Sequence, residues 1–591
     1  MKDREAERGN TFCELCTERR MTLPPSRVQR GRPLSRKGMI VPDEAVSVRV
    51  WRIEVVSRDI YPVLCVYGGL FCFSDHPGQR PKTRKEPIML IKILLLVLFV
   101  GSTVCIGVLC RRHSTNVDSF VLGGRAVGPW LTAFAYGTSY FSAVIFIGYA
   151  GQFGWRFGLA STWIGIGNAV LGSLLAWIVL GARTRSMTQY YKSSTMPDFF
   201  GKRYSSEALK IAAAVIVFVF LIPYTASLYN GLSRLFTMAF SIDYTVCIIA
   251  MAVLTCIYVV VGGYMATAIN DFLQGLIMLG GIVAVVLAVI NSNGGFAEAF
   301  DAMSQISAPA ENAPAGSFTA ILGPDPFNLI AVIILTSLGT WGLPQMVGKF
   351  YAIKNTQAIK KGTIVSTVFA LIVAGGCYFL GGFGRLYEAP VGANGKIIYD
   401  AIIPKMLEGL PDVLIAVIVV LVLSASMSTL SSLVLTSSST LTLDLIKRNR
   451  VMKEKKQVLI MRALVIFFVA VSSLIAILQY KFGFAFIAQL MGLSWGALAG
   501  AFLAPFLYGL YWKRTSPASV WVSFAFGVVV MLLNTFVPGM FPAWLASPIN
   551  CGAFVMLAGL VIVPVVSLLT PVKNAPSVEE AFSSLKEAKK D

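Results

Sequence analysis

Histidine and charged side chains are scarce in this chain of 591 residues, and their scarcity limits the classes of function that the protein can have. Only two histidines are present, His76 and His113, and 14% of the residues are charged, against about 25% in an average soluble protein. No glycine-rich phosphate loop follows a predicted strand, and no long polar segment is available to hold a catalytic domain. We therefore expect that the protein is not an enzyme.

Uninterrupted apolar segments, by contrast, fill most of the chain, 56% of which is hydrophobic. An apolar run of about 20 residues is long enough to cross the hydrocarbon core of a lipid bilayer as a helix. Such runs lie near 88–110, 129–153, 158–181, 207–233, 243–261, 266–290, 327–348, 362–384, 412–440, 457–480, 483–511, 517–536 and 548–570. The sequence thus predicts an all-α membrane protein with about thirteen transmembrane helices.

The formal net charge of +20 is distributed in a way that indicates membrane topology and not nucleic-acid binding. Lysine and arginine gather in alternate loops, whereas no basic residue lies between Asp271 and Lys349. The positive-inside rule places the basic loops in the cytoplasm, including the group formed by Lys349, Lys354, Lys360 and Lys361. With thirteen spans, the C-terminus of this multi-pass cell-membrane protein is predicted to be cytoplasmic and the N-terminus to lie outside.

Residues 1–88 differ from the rest in composition, because they are rich in arginine and proline and hold four of the ten cysteines. Met89 opens the first apolar run, so we interpret 1–88 either as a disordered basic extension or as sequence upstream of a true start near Met89. The spacing of Cys13 and Cys16 relative to the other two cysteines does not match a four-ligand zinc site, so no metal is expected there.

One apolar run, "LVLSASMSTLSSLVLTSSSTLTLDLI" at 421–446, is crowded with hydroxyl groups. At 100° per residue, its small and hydroxyl-bearing residues fall within about a third of the helix circumference. This stripe consists of Ala425, Ser428, Thr429, Ser432 and Thr436, with Ser431 beside it. Two interpretations remain open: close packing with hydrogen bonds between helices, or coordination of an ion.

Asp271 favours the second interpretation. It lies within "GGYMATAINDFLQGLIMLGG", and a carboxylate at the centre of a membrane helix costs about 2.5–3.5 kcal/mol. No lysine or arginine occupies the middle of the later spans, so we predict a bound cation such as Na⁺, for which oxygen ligands are suited. The alternative is that Asp271 lies near the cytoplasmic interface, solvated or hydrogen-bonded to Asn270.

Two spans carry helix-breaking residues: 133–154 contains four glycines, and 335–350 contains Gly339, Gly342 and Pro344. A pair of interrupted helices at matching positions in two halves indicates the midplane binding site of a transporter. The segments 129–290 and 327–511 each hold five spans, which predicts an inverted repeat. The remaining units are a leading helix at 89–110, an extracellular loop at 291–326, C-terminal helices at 517–570 and a cytoplasmic tail at 571–591.

Several stretches together resemble the sodium/solute symporter family, which includes bacterial carriers of proline, pantothenate, galactose and sialic acid. They are "FVLGGRAVGPWLTAFAYGTSYFSAVIFIGYAG", "GGYMATAINDFLQGLIM", "WGLPQMVGKFYAIK", "SASMSTLSSLVLTSSSTLTLDL" and "FLAPFLYGLYWKR". The resemblance implies a leucine-transporter-like fold with a five-plus-five inverted repeat. It also implies Na⁺-coupled symport of a small organic solute by alternating access, in a protein that functions as a monomer.

The resemblance further implies two sets of Na⁺ ligands. The first consists of carbonyl oxygens of Thr138, Phe141 and Ala425 with hydroxyls of Ser428 and Thr429. The second, present in some members, corresponds to Asp271, Ser428, Ser431 and Ser432. Whether one or two Na⁺ ions accompany each solute stays open.

The family's solute binds between the broken helices, which corresponds here to Tyr140, Ser142, Ile145, Thr225, Tyr229, Trp341 and Gln489. Tyr140 stands where proline carriers have an acidic residue, and Val144-Ile145 stands where sugar carriers have a polar pair. The first broken helix looks closest to pantothenate or monocarboxylate carriers, so an organic acid or pantothenate-like solute is expected. The alternatives are a membrane sensor that keeps the fold but moves nothing, and a proton-coupled carrier.

Overall fold

The computed structural model describes residues 85–113, 116–240, 242–392, 395–447, 452–482, 487–537, 539–571 and 576–587. The predictions made for 1–84, including those for Cys13 and Cys16, lie outside these residues. Within them, the structure is helical, and β-structure is limited to isolated bridges such as that between Val127 and Ile353. The prediction of an all-α protein is confirmed for this part of the chain.

Twenty α-helices succeed one another along the described segments. They are α1 Lys85–Leu109, α2 Val117–Leu122, α3 Pro129–Tyr140, α4 Ala150–Phe157, α5 Thr162–Gly167, α6 Ala182–Tyr190, α7 Met196–Arg203, α8 Glu207–Phe240, α9 Tyr244–Ser292, α10 Phe296–Gln305, α11 Pro326–Gly342, α12 Pro344–Ala352, α13 Thr356–Gly381, α14 Ile402–Leu407, α15 Asp412–Thr440, α16 Glu454–Phe482, α17 Ile487–Tyr511, α18 Pro517–Phe536, α19 Pro548–Leu569 and α20 Pro576–Glu587. Wider π-helical turns follow or join several of them, at Val144–Tyr149, Asn168–Leu175, Trp177–Gly181 and Leu441–Ile446.

Ten helices in the described part are long and apolar enough to cross a membrane, or eleven if the bent pair α11–α12 counts as one span. The predicted number of thirteen is therefore not confirmed. The difference arises because helices continue through positions where the sequence indicated a loop. Helix α9 has 49 residues and consists of two helical segments that meet at a kink at Gly263, whose φ is +58°.

Both predicted helix breaks are present. Helix α3 ends at Tyr140, and the backbone is extended at Phe141, with φ −82° and ψ 124°, before helical structure resumes. Helix α11 ends at Gly342, Leu343 is extended, and α12 leaves at an angle of 45°. We call α3 with the turns up to Phe157 the first broken helix, and α11 with α12 the second broken helix.

The glycines of the first broken helix do not cause its break. A Cβ atom at Gly154 would lie 2.0 Å from the carbonyl oxygen of Gly381, and one at Gly137 would lie 2.5 Å from the ring of Phe369. These glycines therefore allow α13 to pack closely against the first broken helix, and the chain opens instead at Phe141, between them.

The hydroxyl-rich helix α15 lies inside the bundle. It packs against α1, α3, α8, α9 and α16, and its residues from Leu421 to Leu435 are all buried. Helix α9 crosses both α15 and α3. The stripe of hydroxyls consequently faces other helices and not lipid, and it faces the break in the first broken helix.

Candidate ion and solute sites

Five oxygen atoms meet where α15 passes the break in the first broken helix. The Thr429 hydroxyl lies 3.1 Å from the carbonyl oxygen of Thr138 and 3.2 Å from those of Phe141 and Ala425. The Ser428 hydroxyl lies 3.2 Å from the Thr138 carbonyl and 3.0 Å from that of Ala425. The structure thus brings together all five residues of the first predicted ligand set; we call this cluster the five-oxygen cluster.

The break explains why carbonyl groups are available there. In a continuous helix each carbonyl accepts a hydrogen bond from the residue four positions later, and a helix end leaves its last carbonyls without such partners. Because the chain is extended at Phe141, the Thr138 and Phe141 carbonyls turn to α15 instead. All five residues are buried, and the cluster contains only neutral oxygens, which is a donor set suited to a hard monovalent cation.

A second polar cluster lies beside the first and contains a lysine. The ammonium group of Lys349 lies 3.0 Å from the Ser432 hydroxyl and 3.7 Å from a carboxylate oxygen of Asp271. The Ser432 hydroxyl is also 2.7 Å from that of Ser139. Lys349 is 4% exposed and Asp271 is 0% exposed, so both charges are inside the bundle.

Two sequence-based expectations about this region were wrong. Lys349 was assigned to a cytoplasmic loop, but it lies on α12, which the break at Leu343 turns into the bundle. Asp271 therefore has a basic partner, contrary to the premise from which a bound cation was inferred. The alternative for Asp271 also fails, because the carboxylate is not solvated and the Asn270 amide donates to the Thr103 carbonyl instead, at 3.4 Å.

The second predicted ligand set is only partly assembled. Asp271 and Ser432 approach one another through Lys349, whereas the Ser428 hydroxyl belongs to the five-oxygen cluster. The Ser431 hydroxyl donates to the Ser428 carbonyl at 2.8 Å. Within the described residues, neither carboxylate oxygen of Asp271 accepts a hydrogen bond.

Three aromatic side chains lie close together where α3 ends. The ring of Tyr140 lies 5.8 Å from that of Trp495, which in turn lies 5.9 Å from that of Tyr224. All three are buried. The Tyr224 hydroxyl lies near the indole N–H of Trp495, and the Tyr140 hydroxyl lies near that of Tyr378, but none of these groups makes a hydrogen bond of normal geometry among the described residues. Buried polar groups normally have partners, so this aromatic box, as we call the three residues, is chemically incomplete by itself.

The other candidate solute residues differ in environment, and three of them already have hydrogen-bond partners. The Ser142 hydroxyl accepts from the Val144 N–H, the Thr225 hydroxyl donates to Leu221, and the Trp341 indole donates to Leu171. Tyr229 and Ile145 are fully buried, whereas Gln489 is exposed. Among the predicted residues that the structure describes, the hydroxyls of Tyr140 and Tyr229 make no hydrogen bond, and Tyr140 is the last residue of α3, directly before the break.

Tyr224 and Trp495 were missed by the sequence reasoning. Tyr224 immediately precedes the chosen Thr225, and one residue changes the direction of a helical side chain by 100°. Trp495 lies in "GLSWGALAG", where the surrounding small residues leave space for a large ring. An aromatic residue isolated among small ones within a buried helix was the available signal.

Ion pairs and a hydrogen bond join separate elements at two further places in the bundle. At one of them Arg156, near the end of the first broken helix, lies 2.6 Å from Asp325, which precedes the second broken helix. At the other the Thr195 hydroxyl donates to Asp444 at 2.6 Å, and Lys210 lies 3.1 Å from Asp198.

Known proteins resemble this chain over most of its length. Residues 120–522 match the model of the sodium:solute symporter family. The osmoregulated proline transporter OpuE of Bacillus subtilis is 28% identical over 454 residues, which cover 75% of this chain and 88% of the relative. The sodium/proline symporter of Escherichia coli is 27% identical over 455 residues, 75% of this chain and 87% of the relative.

Among solved structures, the substrate-bound outward-open state of a Na⁺-coupled sialic acid symporter has a similar fold. Its TM-score is 0.66 at 17% sequence identity, and the match covers 82% of this chain and 99% of that one. At this level of identity the comparison concerns the fold alone.

Proposed function

Because the chain belongs to the sodium:solute symporter family, we propose that it carries a small zwitterionic amino acid, with proline as the first candidate, across the membrane together with Na⁺. Family membership makes it a multi-pass membrane transporter with Na⁺ as the coupling ion. That activity is consistent with the expectation that the protein is not an enzyme. The five-oxygen cluster is the observation that carries the proposal.

The cluster explains how an ion would control the conformation. Its hydroxyls come from α15 and two of its carbonyls from the break in the first broken helix, so a bound Na⁺ would hold these two elements together. Separation of the elements would remove ligands and release the ion. Each charge that moves inward across 100 mV supplies about 2.3 kcal/mol, enough to drive useful accumulation of a solute.

The aromatic box supports a compact solute with both a polar and an apolar part. The hydroxyls of Tyr140 and Tyr224 and the indole N–H of Trp495 are donors that suit a carboxylate. The ring faces suit a small apolar ring and, through their π-electrons, a protonated amine. A zwitterion such as proline uses all of these features, whereas a plain organic acid has no ammonium group to place over the rings.

The relatives' names also favour proline over the organic acid or pantothenate-like solute that the motifs of the first broken helix suggested. Tyr140 nevertheless stands where proline carriers have an acidic residue, so the details of recognition would differ. We propose that the tyrosine hydroxyl takes the place of that acid as a hydrogen-bonding group, at the same point of the broken helix.

Three further features of the proposal follow from the family and the sequence pattern. The transporter would have the five-plus-five inverted repeat, with Asp271 and Ser428 in opposite halves. Its C-terminus would be cytoplasmic and its N-terminus outside. It would function as a monomer, since the residues of both polar clusters come from a single chain.

The test is uptake of radiolabelled L-proline by proteoliposomes that contain the purified protein. An inward Na⁺ gradient should stimulate uptake, and replacement of Na⁺ by choline at fixed pH should abolish it. Unlabelled pantothenate, lactate, galactose and sialic acid should compete less well than proline. If the Na⁺ gradient stimulated uptake of lactate or pantothenate but not of proline, the protein would be assigned to organic acids and the proline proposal would be overturned.

Two variants sharpen that test. Tyr140→Phe removes only the unpaired hydroxyl and should raise the KM for proline, while the Na⁺ dependence stays unchanged. Tyr508→Phe is a control, because this hydroxyl donates to Leu560 far from the box. The rival functions give different results: a proton-coupled carrier would respond to a pH gradient in choline, and a non-transporting sensor would bind the solute without any uptake.

A further inference from the structure

We propose that the ammonium group of Lys349 acts as a built-in cation at the second ion position, so that one Na⁺ accompanies each solute and not two. The inference rests on the proposed function, because it concerns the stoichiometry of that transport. The sequence left open whether one or two Na⁺ ions accompany each solute, and Lys349 would set that number.

The position of the ammonium group carries the argument. It lies between Asp271 and Ser432, two of the four residues in the second predicted ligand set, at 3.7 and 3.0 Å. It also lies 5.3 Å from the centre of the Tyr264 ring, which favours a cation at this place. A carboxylate, a hydroxyl and an aromatic face thus surround the charge of the lysine as they would surround a bound ion.

Because Asp271 and Lys349 are both buried, each charge needs the other to compensate it. Asp271 is 0% exposed and Lys349 is 4% exposed, and an uncompensated charge is costly at such a position. Together the two side chains are neutral, so the site has no remaining charge to attract another cation. A Na⁺ ion among the same oxygens would lie within a few ångströms of the ammonium group and be repelled by it.

The five-oxygen cluster differs in this respect. Its ligands are three carbonyls and two hydroxyls, and its described contacts include no lysine or arginine. Na⁺ can therefore bind there without displacing a charged group of the protein. The two clusters lie side by side on α15, yet only one of them is left available to a free ion.

The route to Asp271 from one end of the bundle also passes Lys349. A cavity of about 40 Å³ is lined by Thr195, Gln345, Lys349, Ser432 and Ser439, and it approaches the second polar cluster from the end at which Thr195 contacts Asp444. An ion entering from that end would meet the ammonium group before the carboxylate. Lys349 also belongs to α12, so its charge stays with the second broken helix and is not released.

The experiment counts ions directly. In proteoliposomes, simultaneous uptake of ²²Na⁺ and tritiated L-proline should give a ratio of one in the wild type, with a Hill coefficient for Na⁺ of about 1. Lys349→Gln leaves the Asp271 carboxylate without its cation and should raise the ratio to two and the Hill coefficient above 1. Lys349→Arg keeps a cation and should retain the ratio of one.

Lys354→Gln is the matched control, because this lysine lies a few residues further along and is exposed. It should leave the ratio and the Hill coefficient unchanged. A ratio of two in the wild type, or an unchanged ratio in Lys349→Gln, would overturn the inference.

Counting bound ions on purified protein keeps the inference testable if a variant does not transport, or if the wild type does not carry proline. Equilibrium binding of ²²Na⁺ should give one ion per wild-type chain and two per Lys349→Gln chain. Adding Asp271→Asn to Lys349→Gln should return the number to one. Two ions per wild-type chain, or one per chain of correctly folded Lys349→Gln, would contradict the built-in cation. Absence of Na⁺-stimulated uptake of any solute would instead contradict the proposed function.

Discussion

The hydroxyl of Thr429 lies 3.1 Å from the carbonyl oxygen of Thr138, a residue 291 positions earlier in the chain. The contact exists because α15 carries a hydroxyl on its buried face and because the first broken helix opens at Phe141. Neither element offers an ion site alone: one provides hydroxyls and the other provides carbonyls. Their meeting in the interior of the bundle is what assembles the oxygen ligands of the proposed Na⁺ site.

Removal of either hydroxyl should therefore weaken the response to Na⁺. We expect Ser428→Ala and Thr429→Ala each to raise the Na⁺ concentration for half-maximal uptake about tenfold or more, since contacts to a charged group contribute roughly 1.5–3 kcal/mol. The KM for the solute at saturating Na⁺ should change much less. Ser426→Ala is the control, because that hydroxyl donates to Val422 on the same helix. Equal Na⁺ dependence in all three variants would refute the ion assignment.

Asp400 should make stability depend on pH. Its burial raises its pKa to about 6, although Arg234 and the N–H of Ile487 oppose the shift. A raised pKa means that the folded protein binds a proton more tightly than the unfolded chain. Stability should consequently fall by about 3 kcal/mol as the pH rises from about 4 to about 6, and then level off.

Thermal unfolding in detergent between pH 4 and pH 8 would check this expectation. In Asp400→Asn the contribution disappears, so the variant should gain stability relative to the wild type as the pH rises. Glu408→Gln, at an exposed carboxylate, is the control and should follow the wild type. Parallel curves for wild type and Asp400→Asn would show that Asp400 is not the responsible group.

The contact between Gly154 and Gly381 should tolerate no side chain. A Cβ atom at residue 154 would lie 2.0 Å from a backbone oxygen, which cannot rotate away as a side chain can. Gly154→Ala should reduce stability by about 1–3 kcal/mol or more and lower the unfolding temperature. Gly101→Ala makes the same chemical change where no atom lies within 4 Å, so stability there should stay equal or increase.

Thr195 should stabilise one end of the bundle through two hydrogen bonds. Its hydroxyl accepts from the Asp198 N–H at the start of α7 and donates to the buried Asp444 carboxylate. Thr195→Ala should cost about 1–2 kcal/mol, the usual contribution of such a cap, and lower the unfolding temperature. Thr195→Ser retains the hydroxyl and should behave like the wild type. A similar loss in both variants would attribute the effect to the missing methyl group.

Much of the ion site was predictable from the sequence because helical periodicity and the family motif agree on it. The positions of Ser428 and Thr429 on one face follow from their spacing, and the break between α11 and α12 follows from Gly342 and Pro344. The break at Phe141 falls instead between glycines that allow close packing. Lys349 was misplaced for a physical reason. Charge clustering assigns a lysine to a loop, but the direction in which α12 leaves the break at Leu343 decides where the side chain points, and no local pattern encodes that direction.

The candidate solute site is harder to predict because it depends on the rotation of helices about their own axes. A shift of one position, from Thr225 to Tyr224, separates a side chain bonded to its own helix from one that contacts Trp495. The number of spans stays unconfirmed for a different reason. The two predicted spans 243–261 and 266–290 meet at Gly263 without a polar loop, so the structure has them as one kinked helix, α9.

Thr138 and Ser139 are consecutive, yet they face different clusters. The Thr138 carbonyl accepts from Thr429, while the Ser139 hydroxyl bonds to Ser432, which holds the lysine ammonium group. The peptide group between them is planar and rigid, so the carbonyl cannot tilt towards an arriving ion without also rotating the neighbouring N–H and the backbone that carries the serine. The five-oxygen cluster and the cluster that holds Lys349 are therefore joined by a single peptide group, so a displacement of the Thr138 carbonyl would also displace the serine that contacts Ser432.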